Sequence, residues 1–548
     1  MDQGCCSRHN ILTRNRMKEY IVIAHTEPEI DSLHDDLVRD TTLEPQVNRS
    51  IVPTRPVDVA NARLGNPVMT HYMLTDTEAE KLQKDPRVLA IHKPPSAATR
   101  KPHVVQRPIA YNNIAGNFNR NSTSDRYNVN WGLRRTSIAA AESPPGTTYT
   151  YDRDGAGVDV VIMDDGVEVN HPEFLDVTGK SRVQMIDWYK ASGVAGTQSI
   201  DFYKTSVGGT GDGEHGTHVA SIAAGKTYGY AKNSRIYSLK IFGNARLDDS
   251  LHFDVLLGWH QRKPVDPVTG IKRPTVVNMS WGYSWYYSNT PYNTNNSILS
   301  VNYRGVLHTY GSAQGRNVSY GQVYSMHGFH YPSEDVGCNL CEQAGIIFVR
   351  SAGNSSHKID ISNGPDYNNY YTINTGWADD TIPAGQPIYY HRGSSPSSNN
   401  CVVVSAGKDI NTVANGVRKE QIDSYSERGP RCDTVAPGTN VTAATSKAST
   451  FTKLPYVFGT LANYTAFSAT KISGTSMAAP QVTGAVALFL QGNPRATPAQ
   501  VRNWVASIGV KNQIQTTTTT NDWANSYALV GGPNNFLYNP YHNGYTGL

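Results

Sequence analysis

The chain has 548 residues, 38% of them hydrophobic and 17% charged. That is enough for a sizeable core, and it implies two or more units or one large domain with a small companion. With 49 basic and 45 acidic side chains the net charge is +4, too small an excess for a dedicated nucleic-acid or membrane-surface binder.

The first residues, MDQGCCSRHNILTRNRM, hold no apolar run of the length a secretory leader needs. No stretch approaches the roughly 20 apolar residues of a membrane span. A soluble chain is therefore expected, and it would be cytoplasmic, virion-associated or exported unconventionally.

Residues 17–95 show a compact pattern. Tyr20–Ala24 reads as a strand, and Ile30, Leu33, Leu37 and Val38 have helical spacing. Val68–Leu74 alternates like a second strand. Thr75 and Glu78 form a capping box for a helix over Thr77–Lys84, which ends at Asp85-Pro86. Val88–Ile91 gives a closing strand, and a fourth is placed near Ile51–Pro53. The sum is a small α+β unit. Residues 96–127, rich in Asn, Arg, Ser, Pro and Gly, read as a linker.

From residue 128 to the end a larger unit follows. Val158–Met163, Arg235–Phe242, Thr275–Met279, Ile346–Ser351 and Cys401–Ala406 read as buried strands. Between and after them come helical segments at His215–Gly225, Asp254–Gln261, Ser476–Gln491 and Thr497–Ile508. Such alternation predicts an α/β fold, a mainly parallel sheet with helices on both faces. Two polar stretches rich in Tyr and Asn, about 283–330 and 355–400, read as surface insertions.

Six cysteines are too few for a disulfide scaffold. Cys338 and Cys341 form a CxxC without a matching second pair, so a zinc site is less expected than two small residues on a helix. Cys401 and Cys432 are free to pair or not.

Four residues sit where nucleophilic chemistry would need them. A serine hydroxyl needs a base, the base needs an orienting carboxylate, and the oxyanion needs donors. Asp164 closes the strand Val158–Met163, where parallel sheets place active sites; a loop-capping role is the plainer alternative. His215 opens a helix of small residues and is placed to act as a base. His218, three residues on, lacks the carboxylate a zincin site requires and is expected to be structural. Ser476 lies at a helix N-terminus within Ser473–Pro480, where free N–H groups favour negative charge; an ordinary cap is the alternative. Asn354 follows the strand Ile346–Ser351 and could donate its amide to an oxyanion or simply form a turn.

Together VVIMDDGV, EHGTHVASIAAG, VVNMSWG, RSAGN and ISGTSMAAP resemble, in order, the signatures of the subtilisin-like serine proteases. The chain order Asp, His, Ser and an oxyanion-hole asparagine are features of subtilisin itself. The resemblance runs from about Trp131 to Ile508. It implies a three-layer fold, with Asp164 orienting, His215 as general base, Ser476 as nucleophile, and the Asn354 amide with the Ser476 N–H as oxyanion hole. It also implies that Ser280, Trp281 and Gly282 pair with substrate backbone and wall the pocket next to the scissile bond. Peptide or protein substrates follow. No cofactor is required for the chemistry; structural calcium is common in such proteases, but no ligand set can be matched here.

Three departures stand out. Asp165 follows the orienting acid where Ser or Thr is usual, Ser221 replaces a Gly in the histidine helix, and Trp281 is bulkier than the usual aliphatic. Residues 17–95, LTDTEAEKLQKDPRVLAI above all, resemble the ferredoxin-like inhibitor propeptide of these enzymes. That resemblance implies a zymogen inhibited in cis by its own propeptide, first cut between about Lys93 and Asn130. The competing readings are a catalytically silent binding domain and an esterase with the same triad.

Overall fold

The computed structural model describes residues 16–39, 50–62, 66–95, 100–102, 118–119, 122–123, 130–138, 149, 151–176, 178–197, 210–243, 251–267, 269–286, 298–309, 326–373, 385–408, 413–414, 417–418, 420–454, 467–516 and 528–541.

The small unit is an antiparallel sheet in the order β2-β3-β1-β4. Its strands are β1 (Lys18–Ala24), β2 (Val59–Asn61), β3 (Met69–Leu74) and β4 (Val88–His92). Two helices, α1 (Glu27–Val38) and α2 (Asp76–Leu82), bury Ile30, Leu33, Leu37 and Leu82 against Tyr20, Val22 and Ala24 on one face of the sheet. The capping box forms as expected: the Glu78 N–H donates to Thr75 Oγ1 (3.2 Å) and the Thr75 N–H to Glu78 Oε2 (2.8 Å). The fourth strand is not at Ile51–Pro53 but at Val59–Asn61. Pro53 and Pro56 remove backbone donors near the expected place, and the chain pairs with β3 only at Val59–Asn61, as a short, largely exposed edge.

Within the stretch read as a linker, residues 100–102 form a strand, β5 (Arg100–Pro102).

The large unit is built on a nine-stranded sheet. In chain order its strands begin with β6 (Asp159–Asp164), β7 (Val183–Gln184), β8 (Arg235–Lys240) and β9 (Thr275–Met279). Helix α3 (Glu214–Ala224) precedes β8, and α4 (His252–Arg262) precedes β9. Outside this sheet lie β10 (Trp281–Tyr286), β11 (Ile298–Tyr303), β12 (Val306–Thr309), β13 (Met326–Phe329) and α5 (Pro332–Gln343). β14 (Ile347–Ser351) returns to the sheet. After β15 (Tyr370–Ile373) and β16 (Ile388–Tyr389) come β17 (Val402–Gly407) and β18 (Thr434–Pro437).

The hairpin β19 (Val441–Thr445) and β20 (Ser468–Ile472) leads into helices α6 (Thr475–Gly492) and α7 (Pro498–Ile508). β21 (Val510–Lys511) and β22 (Asn535–Phe536) close the sheet edge, whose order is β21-β22-β18-β17-β14-β9-β6-β8-β7. Every neighbouring pair from β7 to β18 is parallel.

Strand alternation divides the core into two layers of side chains. Val160 and Ile162 pack with Val219 and Ile222 of α3 and Val482 and Val486 of α6. Val161 and Met163 face Phe253 and Leu256 of α4 and Cys338 and Cys341 of α5. The fold is thus α/β in three layers, helices on both faces of a mainly parallel sheet.

The two polar insertions are not separate. Strands β11 and β12 from the first join β15 and β16 from the second in one sheet, order β12-β11-β15-β16. Arg304 ties them again through Asp366 (2.6 Å), which also accepts from Lys358 Nζ (2.7 Å). Cys338, Cys341, Cys401 and Cys432 are separate buried thiols.

Candidate active site

The parallel strands end where the loops bearing the candidate residues begin. Asp164 is the last residue of β6 and is fully buried. Its Oδ1 accepts from His215 Nδ1–H at 2.8 Å and from the Asp165 N–H at 2.8 Å. His215 occupies the first turn of α3. Its Nδ1 is committed to Asp164, and its Nε2 is buried without a partner among the described residues. Burial pulls the imidazole pKa down, but the charge of Asp164 and its hydrogen bond, then the charges of Asp165 and Glu214, outweigh it, and the net shift is upward.

Asp165, the first of the departures, faces the histidine helix. The N-cap of α3 is Gly213, which has no side chain to cap with. The Asp165 carboxylate supplies the cap from the neighbouring strand end, accepting from the N–H of His215 (3.1 Å) and of Gly216 (2.6 Å). A Cβ on Gly216 would collide with Gly166 O and Asp165 Oδ1, so glycine is needed for this close approach. Burial and the charge of Asp164 push the Asp165 carboxyl well above the usual carboxylate range, against the opposing charge of His215.

His218 is buried, its Nε2 near Thr470 O (3.3 Å), and burial lowers it to about 3, as suits a neutral structural residue. Ser221 accepts from the Ala444 N–H (3.1 Å), which ties α3 to β19.

Ser476 is the second residue of α6, whose first N–H groups lack intrahelical acceptors. Its hydroxyl donates to Ser280 O at 2.7 Å rather than to His215. Ser280 Oγ donates in turn to Ser476 O (2.9 Å), which fixes the start of α6 against the segment leading into β10.

Asn354 lies in the turn after β14. Its Oδ1 accepts from the Thr475 N–H (3.0 Å) and from Thr475 Oγ1 (2.9 Å). A backbone N–H can only donate, so the oxygen must face Thr475 and the NH2 must face away. That Nδ2 is buried with no partner among the described residues, an uncommon state for a buried amide. Thr475 is a site residue that sequence reasoning misses; its one signal is its place beside Ser476 in the SGTSMA run.

Ser280–Gly282 borders the same site. The Trp281 side chain, however, is fully buried in the core, edge-on to Phe242 (ring centroids 5.9 Å), His252 (6.1 Å) and Tyr283 (5.8 Å). What β10 offers here is backbone. That backbone pairs antiparallel with β5, Pro102 opposite Trp281, Lys101 opposite Gly282 and Arg100 opposite Tyr283.

The small unit touches the same region. Ile21, Ile23 and Met69, on the sheet face away from α1 and α2, pack with Val336 of α5. His92 Nε2 accepts from the Ser333 N–H (3.4 Å), and its ring lies 5.4 Å from Tyr331. Among the described residues no three His, Cys, Asp or Glu side chains are grouped to hold a metal ion.

Residues 155–527 match the Subtilase family. The chain belongs to that family. Curated relatives are proteases by name. It is 26% identical over 415 residues to a cuticle-degrading serine protease of Arthrobotrys oligospora, covering 75% of this chain and 68% of the relative. It is 25% identical over 390 residues to proteinase R of Parengyodontium album, covering 70% of this chain and 66% of the relative. An extracellular serine proteinase of a Thermus species is 24% identical over 466 residues, covering 85% of this chain and 74% of the relative. Among solved structures, a cold-adapted subtilisin-like serine proteinase gives a TM-score of 0.43 at 22% identity, covering 75% of this chain and 98% of its own. Fervidolysin from Fervidobacterium pennivorans gives 0.46 at 18%, covering 90% of this subtilase and 57% of its own chain.

These relatives correct the location read from the sequence. The Thermus relative is extracellular by name and the Arthrobotrys relative cuticle-degrading, which conflicts with a cytoplasmic or virion-associated setting. That reading rested on the want of an apolar run in the first residues, which is no guide to where the subtilase acts.

Proposed function

We propose that this subtilase is a serine endopeptidase made as a self-processing zymogen. The observation that carries the reading is the paired set of orphaned groups. His215 Nε2 and Asn354 Nδ2 are each buried without a partner among the described residues, while their other polar atoms are held by Asp164 and Thr475. Buried polar atoms are rarely left so, and both become satisfied by a reacting peptide.

In this mechanism the Ser476 hydroxyl leaves Ser280 O, gives its proton to His215 Nε2 and attacks the peptide carbonyl. Asp164 holds the imidazole in the tautomer with Nε2 free and stabilises the imidazolium that forms. The oxyanion takes hydrogen bonds from Asn354 Nδ2 and the Ser476 N–H. The imidazolium then protonates the leaving amine. The acyl-enzyme is hydrolysed by a water that His215 deprotonates. No cofactor enters these steps, and calcium remains unassigned.

Residues 17–95 are the propeptide in this reading, 96–127 the connection, and 128–548 the peptidase with its insertions. The β5–β10 ladder supports it: a segment just beyond the small unit lies antiparallel on Trp281–Tyr283, as a substrate backbone would. Partners are peptide or protein substrates and the propeptide in cis, with no role for nucleic acid or membrane.

Labelling with a fluorophosphonate probe tests the chemistry. After processing, Ser476 should be modified, and Ser476→Ala should not label. Labelling retained in Ser476→Ala would reject the assignment.

A further inference from the structure

Behind the turn that presents Asn354 sits a carboxyl group the mechanism does not use. Glu427 is 2% exposed. Its backbone N–H donates to Gly353 O (2.8 Å). Its side chain lies against the same glycine: a Cβ on Gly353 would stand 2.5 Å from the Glu427 Cδ and 2.6 and 2.8 Å from its two oxygens. The Ser355 N–H is near enough to draw the pKa of that carboxyl down. Glu427 therefore contacts the residue immediately before Asn354 through both its backbone and its side chain. Gly353 has φ +124°, a backbone that a side chain would strain as well as crowd.

Neither nearby guanidinium hydrogen-bonds this carboxyl among the described residues, and Arg350 Nε is buried without a partner there. Arg350 Nη1 donates to Ser395 O (2.6 Å). Arg428 donates to Ser426 O (2.9 Å) and Ser424 O (2.7 Å). Burial pushes the Glu427 carboxyl up to about 8, against the charges of Arg350 and Arg428 and the Ser355 N–H. A neutral acid fits a site with no ion pair among the described residues.

We propose that Glu427 is a positioning residue for the oxyanion hole, holding the 353–355 turn from behind so that Thr475 in front can fix the Asn354 amide with its Nδ2 aimed at the reacting carbonyl. The inference rests on the serine-protease reading of the site.

A double-mutant cycle on the processed enzyme tests it, with kcat and KM on a peptide anilide and a thermal melt for each variant. E427A should lower kcat by about tenfold or more with KM within about twofold, because the oxyanion donor acts mainly in the transition state. E427Q keeps the shape packed on Gly353 and an oxygen acceptor without charge, and should stay within about twofold of wild type in kcat. In an N354A background, E427A should have little further effect on kcat. If E427A does not fold, E427M, of similar length but with no oxygen acceptor, takes its place.

Equal losses in both backgrounds, an unchanged kcat, or E427Q as impaired as E427A would overturn the proposal. Activity surviving in Ser476→Ala would instead overturn the reading beneath it.

Discussion

Thr475 holds Asn354 by two hydrogen bonds to one oxygen, from its backbone N–H at 3.0 Å and its hydroxyl at 2.9 Å. The same hydroxyl accepts from the Gly353 N–H at 3.1 Å. In the proposed mechanism the residue before the nucleophile thus orients the oxyanion donor, and both halves of the oxyanion hole are tied to the start of one helix.

Thr475→Val keeps the shape and removes the hydroxyl. One bond to Asn354 and one acceptor for Gly353 are lost, and the amide gains freedom to turn. We expect kcat to fall by about 10-fold with KM little changed, since each such bond is worth about 1 kcal/mol and acts mainly in the transition state. Thr475→Ser should keep most of the activity. Steady-state kinetics on a peptide anilide would show the split; a rise in KM alone would contradict this role.

Asp165 should be visible in the pH profile. In the proposed mechanism His215 works as a base only when neutral, so the acidic limb of kcat/KM should follow its pKa. Although burial pushes the Asp165 carboxyl up, its charge when ionised adds to those that raise the His215 pKa. Asp165→Asn removes it, His215 loses its proton at lower pH, and the limb should move to lower pH. One N–H of the α3 start also loses its acceptor, so the melting temperature should fall. An unmoved limb would mean that Asp165 only caps the helix.

The face between the small unit and α5 should govern release after processing. Val336 packs with Ile21, Ile23 and Met69. Val336→Glu puts a charge into that apolar contact, at a cost of roughly 1–3 kcal/mol, which is about 5- to 150-fold in affinity. The lag between the first cut and full activity should shorten accordingly. An unchanged lag would place the inhibitory contact elsewhere.

Much of this arrangement is legible in the sequence because it is local. Asp164, His215, Asn354 and Ser476 sit at strand ends and helix starts, which short motifs specify, and the alternation of apolar runs sets the layer order. Boundaries move by one to three residues, as with Thr77–Lys84 against Asp76–Leu82. What is not legible depends on distant partners. Val59–Asn61 is a strand only because β3 offers an edge, and the two insertions share a sheet through pairing of Val301 with Tyr371. The Trp281 ring goes to the core because Phe242, His252 and Tyr283 leave room there, which spacing along β10 could not show. The Asp165 cap arises because Gly213 has nothing to cap with, a fact of three-dimensional proximity.

The β5 register bears most directly on the central claim. Pro102 stands opposite Trp281, the residue after Ser280, whose carbonyl holds the Ser476 hydroxyl. Intact-mass and N-terminal analysis of the purified full-length protein, beside its Ser476→Ala variant, is therefore the decisive measurement. A new N-terminus within a few residues beyond Pro102, absent from Ser476→Ala, is the predicted result. An uncut wild type, or the same cut in the variant, would contradict a self-processing serine protease.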